Sequence, residues 1–228
     1  MNNCLESVSS KAMTTKEKII ECSIRLFNSH GLVNVRLQHI ADEAGISVGN
    51  LAYHYYSKKA IMIKIVDQLT ELIDPLIDET QEFPGLMDFD TQLAKFYHFL
   101  MKYSFFFIDL LEIKRNYPKL YEKRKIITKH ITEQTLHWLE QNEKNGILIK
   151  EPRPDHYGIV AHSVWMIINF YLTKPVDHGS PEDSERVFKE VVWSQILPHF
   201  TQNGRLEFDL LIERLLDSFT PEGPEYHE

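Results

Sequence analysis

Residues 36–59 read RLQHIADEAGISVGNLAYHYYSKK, and the parsing of this stretch decides the fold. Leu37, Ile40, Ala41 and Ala44 recur at three- and four-residue spacing, which predicts a short helix over about 36–43 with those residues turned inward. Gly45 supplies the backbone freedom for a tight turn. Ser47 is a good N-cap for a second helix over about 47–54, whose tip, Val48-Gly49-Asn50, is small. Two short helices joined in this way form a helix-turn-helix, and the turn tilts the second helix so that one end enters a DNA major groove. Ser57 then caps a longer helix running to about 74, where Pro75 should kink or interrupt it.

Upstream, a helix is predicted over about 14–29. Thr14 or Thr15 caps it, and Ile19, Ile20, Ser23, Leu26 and Phe27 form its apolar stripe. His30-Gly31 ends it, and Cys22 reads as a small core residue. Residues 1–13 are polar and aperiodic, as in a disordered tail. Downstream, QEFPGLMDFD at 81–90 reads as a connection. Helices follow near 90–107, 108–116, 118–145, 154–173, 181–202 and 205–219, punctuated by Pro118, Gly146, Pro152, Pro154, Pro175 and Gly204. Gly146-Ile147-Leu148-Ile149 is the single short strand candidate. The expectation is an all-α chain with a tail over 1–13, a helix-turn-helix DNA-binding domain over 14–75, and a larger helical ligand-binding and dimerisation domain over 76–228.

Composition bounds the function. Of 228 residues, 43% are hydrophobic and 25% charged, ordinary values for a globular protein. Apolar runs such as SVWMIINFYL at 163–172 are too short for a bilayer, and MNNCLESVSS does not read as a secretory leader, so no membrane partner and a cytoplasmic location are expected. Cys4 and Cys22 fit neither a disulfide framework nor a metal site, and His130 and His137 are a two-turn pair without a third partner. No cofactor or metal is expected. Without a Gly-rich phosphate loop, nucleophile elbow or metal motif, an enzyme is not expected either. Net charge is −8, yet residues 11–64 carry eight bases (Lys11, Lys16, Lys18, Arg25, Arg36, Lys58, Lys59, Lys64) against four acids (Glu17, Glu21, Asp42, Glu43). That head is +4, while residues 65–228 carry −11, a field that turns one end toward phosphates.

From about Thr15 to Ile65 the chain resembles the DNA-binding domain of the tetracycline-repressor (TetR-like) family. The matching residues are Ile20, Leu26-Phe27, Gly31, Ile40-Ala41, Ala44-Gly45-Ile46-Ser47, Gly49, Leu51, Tyr53-His54-Tyr55 and Ser57-Lys58. The resemblance implies a homodimeric transcriptional regulator, a repressor released from a palindromic operator by a small-molecule effector. It departs at two places: Arg36 stands where the family usually has a hydroxyl-bearing residue, and Ala52 where it usually has an aromatic one. The alternative is a protein of the same fold that acts through protein partners, with weak or no ligand response.

The candidate DNA-binding residues are Arg36, Gln38, Ser47, Val48, Gly49, Asn50, Tyr53, His54 and Lys58. Asn50 can pair with adenine and Val48 can touch a thymine methyl. Gly49 lets the backbone approach the groove. Gln38 matches a family position that faces base edges, and Arg36 precedes it. Tyr53, His54 and Lys58, with the amino end of the following helix, resemble the family's phosphate clamp. In the body, Phe99, Tyr103, Trp138, Trp165 and Asn169 are candidates to line an effector cavity, since aromatic walls with a few polar groups suit a moderately hydrophobic ligand. The helices near 90–107 and 154–173 are apolar nearly all round, and the helix near 181–202 offers Val187, Phe188, Val191, Val192, Ile196 and Leu197. This predicts a two-fold four-helix interface that draws on Val164, Ile168, Val187, Val191, Val192 and Ile196.

Overall fold

The first helix, α1 (Thr15–His30), begins where Thr14 offers a hydroxyl: its Oγ1 accepts the Glu17 N–H at 3.3 Å, and the Glu17 carboxylate accepts the Thr14 N–H at 2.8 Å. A reciprocal cap of this kind contributes on the order of 1 kcal/mol. The structure is a computed structural model that describes residues 13–73, 85–173 and 181–217. Residues 1–12, Pro75, positions 81–84 of the expected connection, Pro175 and Gly179-Ser180 lie outside the described residues.

The chain forms two units, Met1–Thr70 and Glu71–Glu228. In the first, α1 buries Ile19, Ile20, Cys22, Ser23, Ile24 and Phe27, and packs on α2 (Leu37–Ala44). Ile40, Ala41 and Ala44 of α2 are fully buried. Gly45 (φ 65°, ψ 36°) then turns left-handed, its N–H donating to the Asp42 carbonyl and the Ile46 N–H to the Ala41 carbonyl, each at 3.0 Å. These two bonds are a Schellman motif, and the αL conformation is why glycine stands there. Ser47 caps α3 (Val48–His54) by accepting the Asn50 N–H at 3.1 Å. Ser57 likewise accepts the Ala60 N–H at the start of α4 (Lys58–Ile73), whose Ile61, Met62, Ile65 and Leu69 complete the core. A fully buried aliphatic side chain contributes roughly 1.5–3 kcal/mol.

The second unit contains α5 (Leu86–Lys102), α6 (Ser104–Ile108), α7 (Leu110–Asn116), α8 (Pro118–Lys144), α9 (His156–Phe170), α10 (Pro181–Ile196) and α11 (Gln202–Asp217), with short 3₁₀ turns at Tyr171–Thr173 and Leu197–His199. α8 packs on α9, α9 on α10, and α10 on α5. Two expectations are corrected. Helix α5 starts at Leu86, inside the expected connection, because the Asp88 carboxylate accepts the Gly85 N–H. The single helix expected over 90–107 is broken at Tyr103 (φ −120°, ψ 39°). Phe105, Phe106 and Phe107 are all buried, and three successive residues sweep too wide an arc of a straight helix to face one core. The short α6 re-aims them.

Two ties lock the body. Asp90 on α5, itself buried, accepts from Lys189 Nζ at 2.8 Å and from Trp193 Nε1 at 3.0 Å, both on α10. Gly204 lies so close to the α8–α9 connection that a Cβ would sit 2.2 Å from the Ile147 carbonyl oxygen, which only glycine tolerates. Beside it, Ile149 and Thr201 exchange backbone hydrogen bonds with His199 and Ile147 around one antiparallel bridge, Leu148 to Phe200. No strand forms among the described residues.

Candidate nucleic-acid interface and helical body

Helix α3 presents almost everything it carries. Leu51 is its one buried residue, Val48 is half-buried, and Gly49, Asn50, Ala52 and Tyr53 are exposed. The Asn50 amide has no partner among the described residues, so both its donor and its acceptor are available for the edge of a base. Gly49 is not demanded by the interior: an added Cβ would meet nothing nearer than Ser47 Oγ at 3.9 Å.

Around this tip, Arg36 and Gln38 are exposed at the start of α2. Gln38 Nε2 donates to Asp42 Oδ1 at 2.7 Å, and Arg25 compensates Glu43 at 3.0 Å, so both carboxylates of α2 already have partners. Tyr53 is 85% exposed and its ring meets His54 edge-on, 5.2 Å between centroids. Tyr55 turns inward, half-buried, and burial pushes its phenol upward from the usual value. Tyr56, like Tyr53, is exposed, at 80%. Sequence reasoning missed it, although two tyrosines three apart beside a lysine pair were a signal. Lys58, expected to meet a phosphate, has carbonyl partners within the chain. Its ammonium donates to the Leu32 carbonyl at 2.6 Å and the Val35 carbonyl at 3.0 Å, tying the α1–α2 connection to the start of α4.

The body separates the five residues expected to line a cavity. Phe99 stacks obliquely on Tyr103 (5.4 Å) and edge-on against Phe107 (5.9 Å), which meets Phe106. Asn169 reaches this cluster through Arg124, whose guanidinium lies over the Phe106 and Phe107 rings at 5.3 and 5.0 Å. Trp165, buried, stands one helical turn before Asn169 on α9. Trp138 belongs elsewhere: it stacks on Phe89 at 4.4 Å and meets Trp193 at 6.1 Å, and no ring contact among the described residues joins that cluster to Phe99. Arg124 was missed in the sequence. Leu120, Arg124, Ile131, Thr135, Trp138 and Asn142 recur at helical spacing, and that stripe was the available signal.

The six expected interface residues divide by burial. Val164, Ile168, Val192 and Ile196 are buried within the subunit, and Val187 and Val191 are half-buried. Residues already used by one chain's core cannot also form a contact with a second copy. The face that α9 leaves open carries Ile159 (47% exposed), Met166 (44%) and Phe170 (58%). No described helix is long and apolar enough to cross a membrane.

An exposed, capped reading helix at a glycine turn, followed by an all-helical body, defines a helix-turn-helix DNA-binding regulator. Residues 19–65 match the family described as "Bacterial regulatory proteins, tetR family", and residues 64–208 the one described as "Bacterial transcriptional repressor". The chain therefore belongs to the TetR family of bacterial transcriptional regulators, and it is not an enzyme. It is similar to IcaR of Staphylococcus epidermidis, the negative transcriptional regulator of the biofilm operon icaADBC, with 27% identity over 192 residues, 78% of this chain and 95% of that one. A shorter likeness, 33% over 79 residues, links it to the transcriptional regulator RutR of Escherichia coli and covers 34% of this chain and 37% of RutR. Among solved structures, a TetR-family regulator from Marinobacter aquaeolei superposes with a TM-score of 0.76 at 26% identity, over 89% of this chain and 98% of that one. AibR, solved with isovaleryl coenzyme A and operator DNA, shares the fold at a TM-score of 0.57 and 14% identity, over 78% of this chain and 98% of its own.

Proposed function

We propose that this chain is a homodimeric repressor that holds a palindromic operator and releases it when a small molecule enters the helical body. The observation that carries the DNA half is the exposed face of α3, with Gly49 and Asn50 at its tip and a single buried anchor, Leu51. Base edges are read by Val48, Asn50 and Gln38, with Ser47 holding the helix end and Arg36 beside it. Tyr53, His54 and the amino end of α4 bind phosphates, and Lys58 positions that clamp through the carbonyls of Leu32 and Val35. The descriptions of the matched family and of IcaR support repression.

Dimerisation is supported by the apolar stripe Ile159, Met166 and Phe170 on α9, with Val187 and Val191 on the adjoining α10. An isologous pairing of these helices gives closed two-fold symmetry, and two reading helices then require an operator with two related half-sites. The effector lies among Phe99, Tyr103, Trp165 and Asn169. Trp138 is part of the Phe89–Trp193 core.

The test is selection of bound duplexes from a random pool, followed by a salt titration on the winning sequence. Recovery of an inverted repeat, bound by two chains with affinity falling steeply as salt rises, is the expected result. Binding that is flat with salt or indifferent to sequence favours a protein acting through protein partners.

A further inference from the structure

Two charged side chains are buried among the described residues, Asp90 and Arg124. They are treated very differently. Asp90 has a cation, Lys189, and an indole N–H, from Trp193. Arg124 has no carboxylate within ion-pair range among the described residues. Of its five N–H donors, one meets the Phe106 carbonyl at 3.1 Å and one meets Asn169 Oδ1. Its guanidinium lies over the Phe106 and Phe107 rings, 5.3 and 5.0 Å from their centroids. A guanidinium removed from water and left without an anion is costly in a core, and a purely structural role at this place is filled as well by an apolar residue. Burial lowers Arg124 from the usual guanidinium range to about 10, with Tyr121 acting in the opposite direction, so it remains a cation at neutral pH.

We propose that Arg124 is the anchor for an anionic effector: a small carboxylate whose apolar or aromatic body packs among Phe99, Tyr103, Phe107 and Trp165. This rests on the reading that the helical body receives a small molecule, and it names the chemical class. The guanidinium fork matches a carboxylate with two parallel hydrogen bonds. Asn169, whose carbonyl oxygen accepts from Arg124, carries a side-chain N–H₂ that adds a donor for the same headgroup. Charge balance favours a carboxylate over a phosphate monoester. Arg124 is the only buried base described, and it neutralises one negative charge, whereas a phosphate brings roughly 1.5 to 2. The walls are chiefly ring carbon and suit a hydrocarbon or ring body.

The experiment compares octanoate and 2-naphthoate with octanamide, 2-naphthamide and octyl phosphate, using calorimetry and thermal shift on the full chain. At least one acid is expected to bind about ten- to a hundredfold more tightly than its amide, the range that hydrogen bonds to a charged group supply. Arg124→Met should bring that acid down to the level of its amide and leave the amide unchanged. Should that variant fail to fold, Asn169→Ala is expected to weaken the acid selectively. The proposal is overturned if neither acid binds, if acid and amide bind alike, if octyl phosphate binds most tightly, or if both variants keep the acid preference. Release of a labelled, selected duplex is followed in parallel. Carboxylate binding that depends on Arg124 but leaves the duplex bound rejects induction and keeps the site. Release by the amides as readily as by the acids keeps induction and rejects the site.

Discussion

Gly49 and Lys58 show how differently two residues of one motif are used. At position 49 the interior leaves room for a methyl group, and a helix glycine costs roughly 0.5–1 kcal/mol relative to alanine. Gly49→Ala should therefore raise the melting temperature of the protein while weakening its grip on a selected duplex. A variant that is more stable and binds as tightly as the parent removes Gly49 from the interface. Lys58 is the reverse case. Its ammonium satisfies two carbonyls of the α1–α2 connection, so Lys58→Ala should cost stability, about 1–3 kcal/mol for carbonyls that lose a charged donor. Denaturant melts that leave the variant as stable as the parent, with DNA affinity alone reduced, return Lys58 to direct phosphate contact. In both residues the type was legible in the sequence and the partner was not. A lysine beside a helix start reads as a phosphate ligand, and nothing local announces the carbonyls 23 and 26 residues upstream that also meet it.

At the scale of elements, local signals located most helices. Caps at Thr14, Ser47 and Ser57 and the turn at Gly45 stand where side-chain chemistry places them. What periodicity did not separate was the covered face of an apolar helix from its open one. In α9, Val164 and Ile168 belong to the subunit's own core, while Ile159, Met166 and Phe170 face outward. Every one of these residues is apolar, so only packing against α8 and α10 tells the two faces apart. On the proposed dimer, Phe170→Glu should leave monomers, seen as a halved mass by light scattering, with helical content unchanged by circular dichroism. A mass equal to that of the parent places the contact elsewhere.

At the scale of the whole molecule, charge is divided: the first 64 residues hold a basic excess and the rest a larger acidic one. The acidic part contains a pH-sensitive element. His199 lies 4.9 Å, centroid to centroid, from His156, and both ring nitrogens of His156 are buried without a hydrogen-bond partner among the described residues. Burial, and secondly the neighbouring His156, hold the His199 imidazole below its ordinary value of 6.5. A histidine whose pKa is lower when folded takes up its proton more readily when unfolded. Its contribution is complete above 6.5 and is lost as pH falls toward the depressed folded value. The melting temperature should therefore drop between pH 7.5 and 5, and His199→Gln should flatten that drop. An unchanged profile in the variant assigns the acid sensitivity to other groups. None of this was legible in the sequence, because His156 and His199 are far apart along the chain and meet only through tertiary packing.

Leu51 is the one fully buried side chain of the reading helix. Evolution can therefore rewrite Val48, Asn50 and Ala52 with little penalty in foldability, and a lineage can wander among genomic targets while its scaffold stays fixed. Transplanting those three side chains from a relative should redirect this protein to the relative's sites without a compensating change anywhere beneath them.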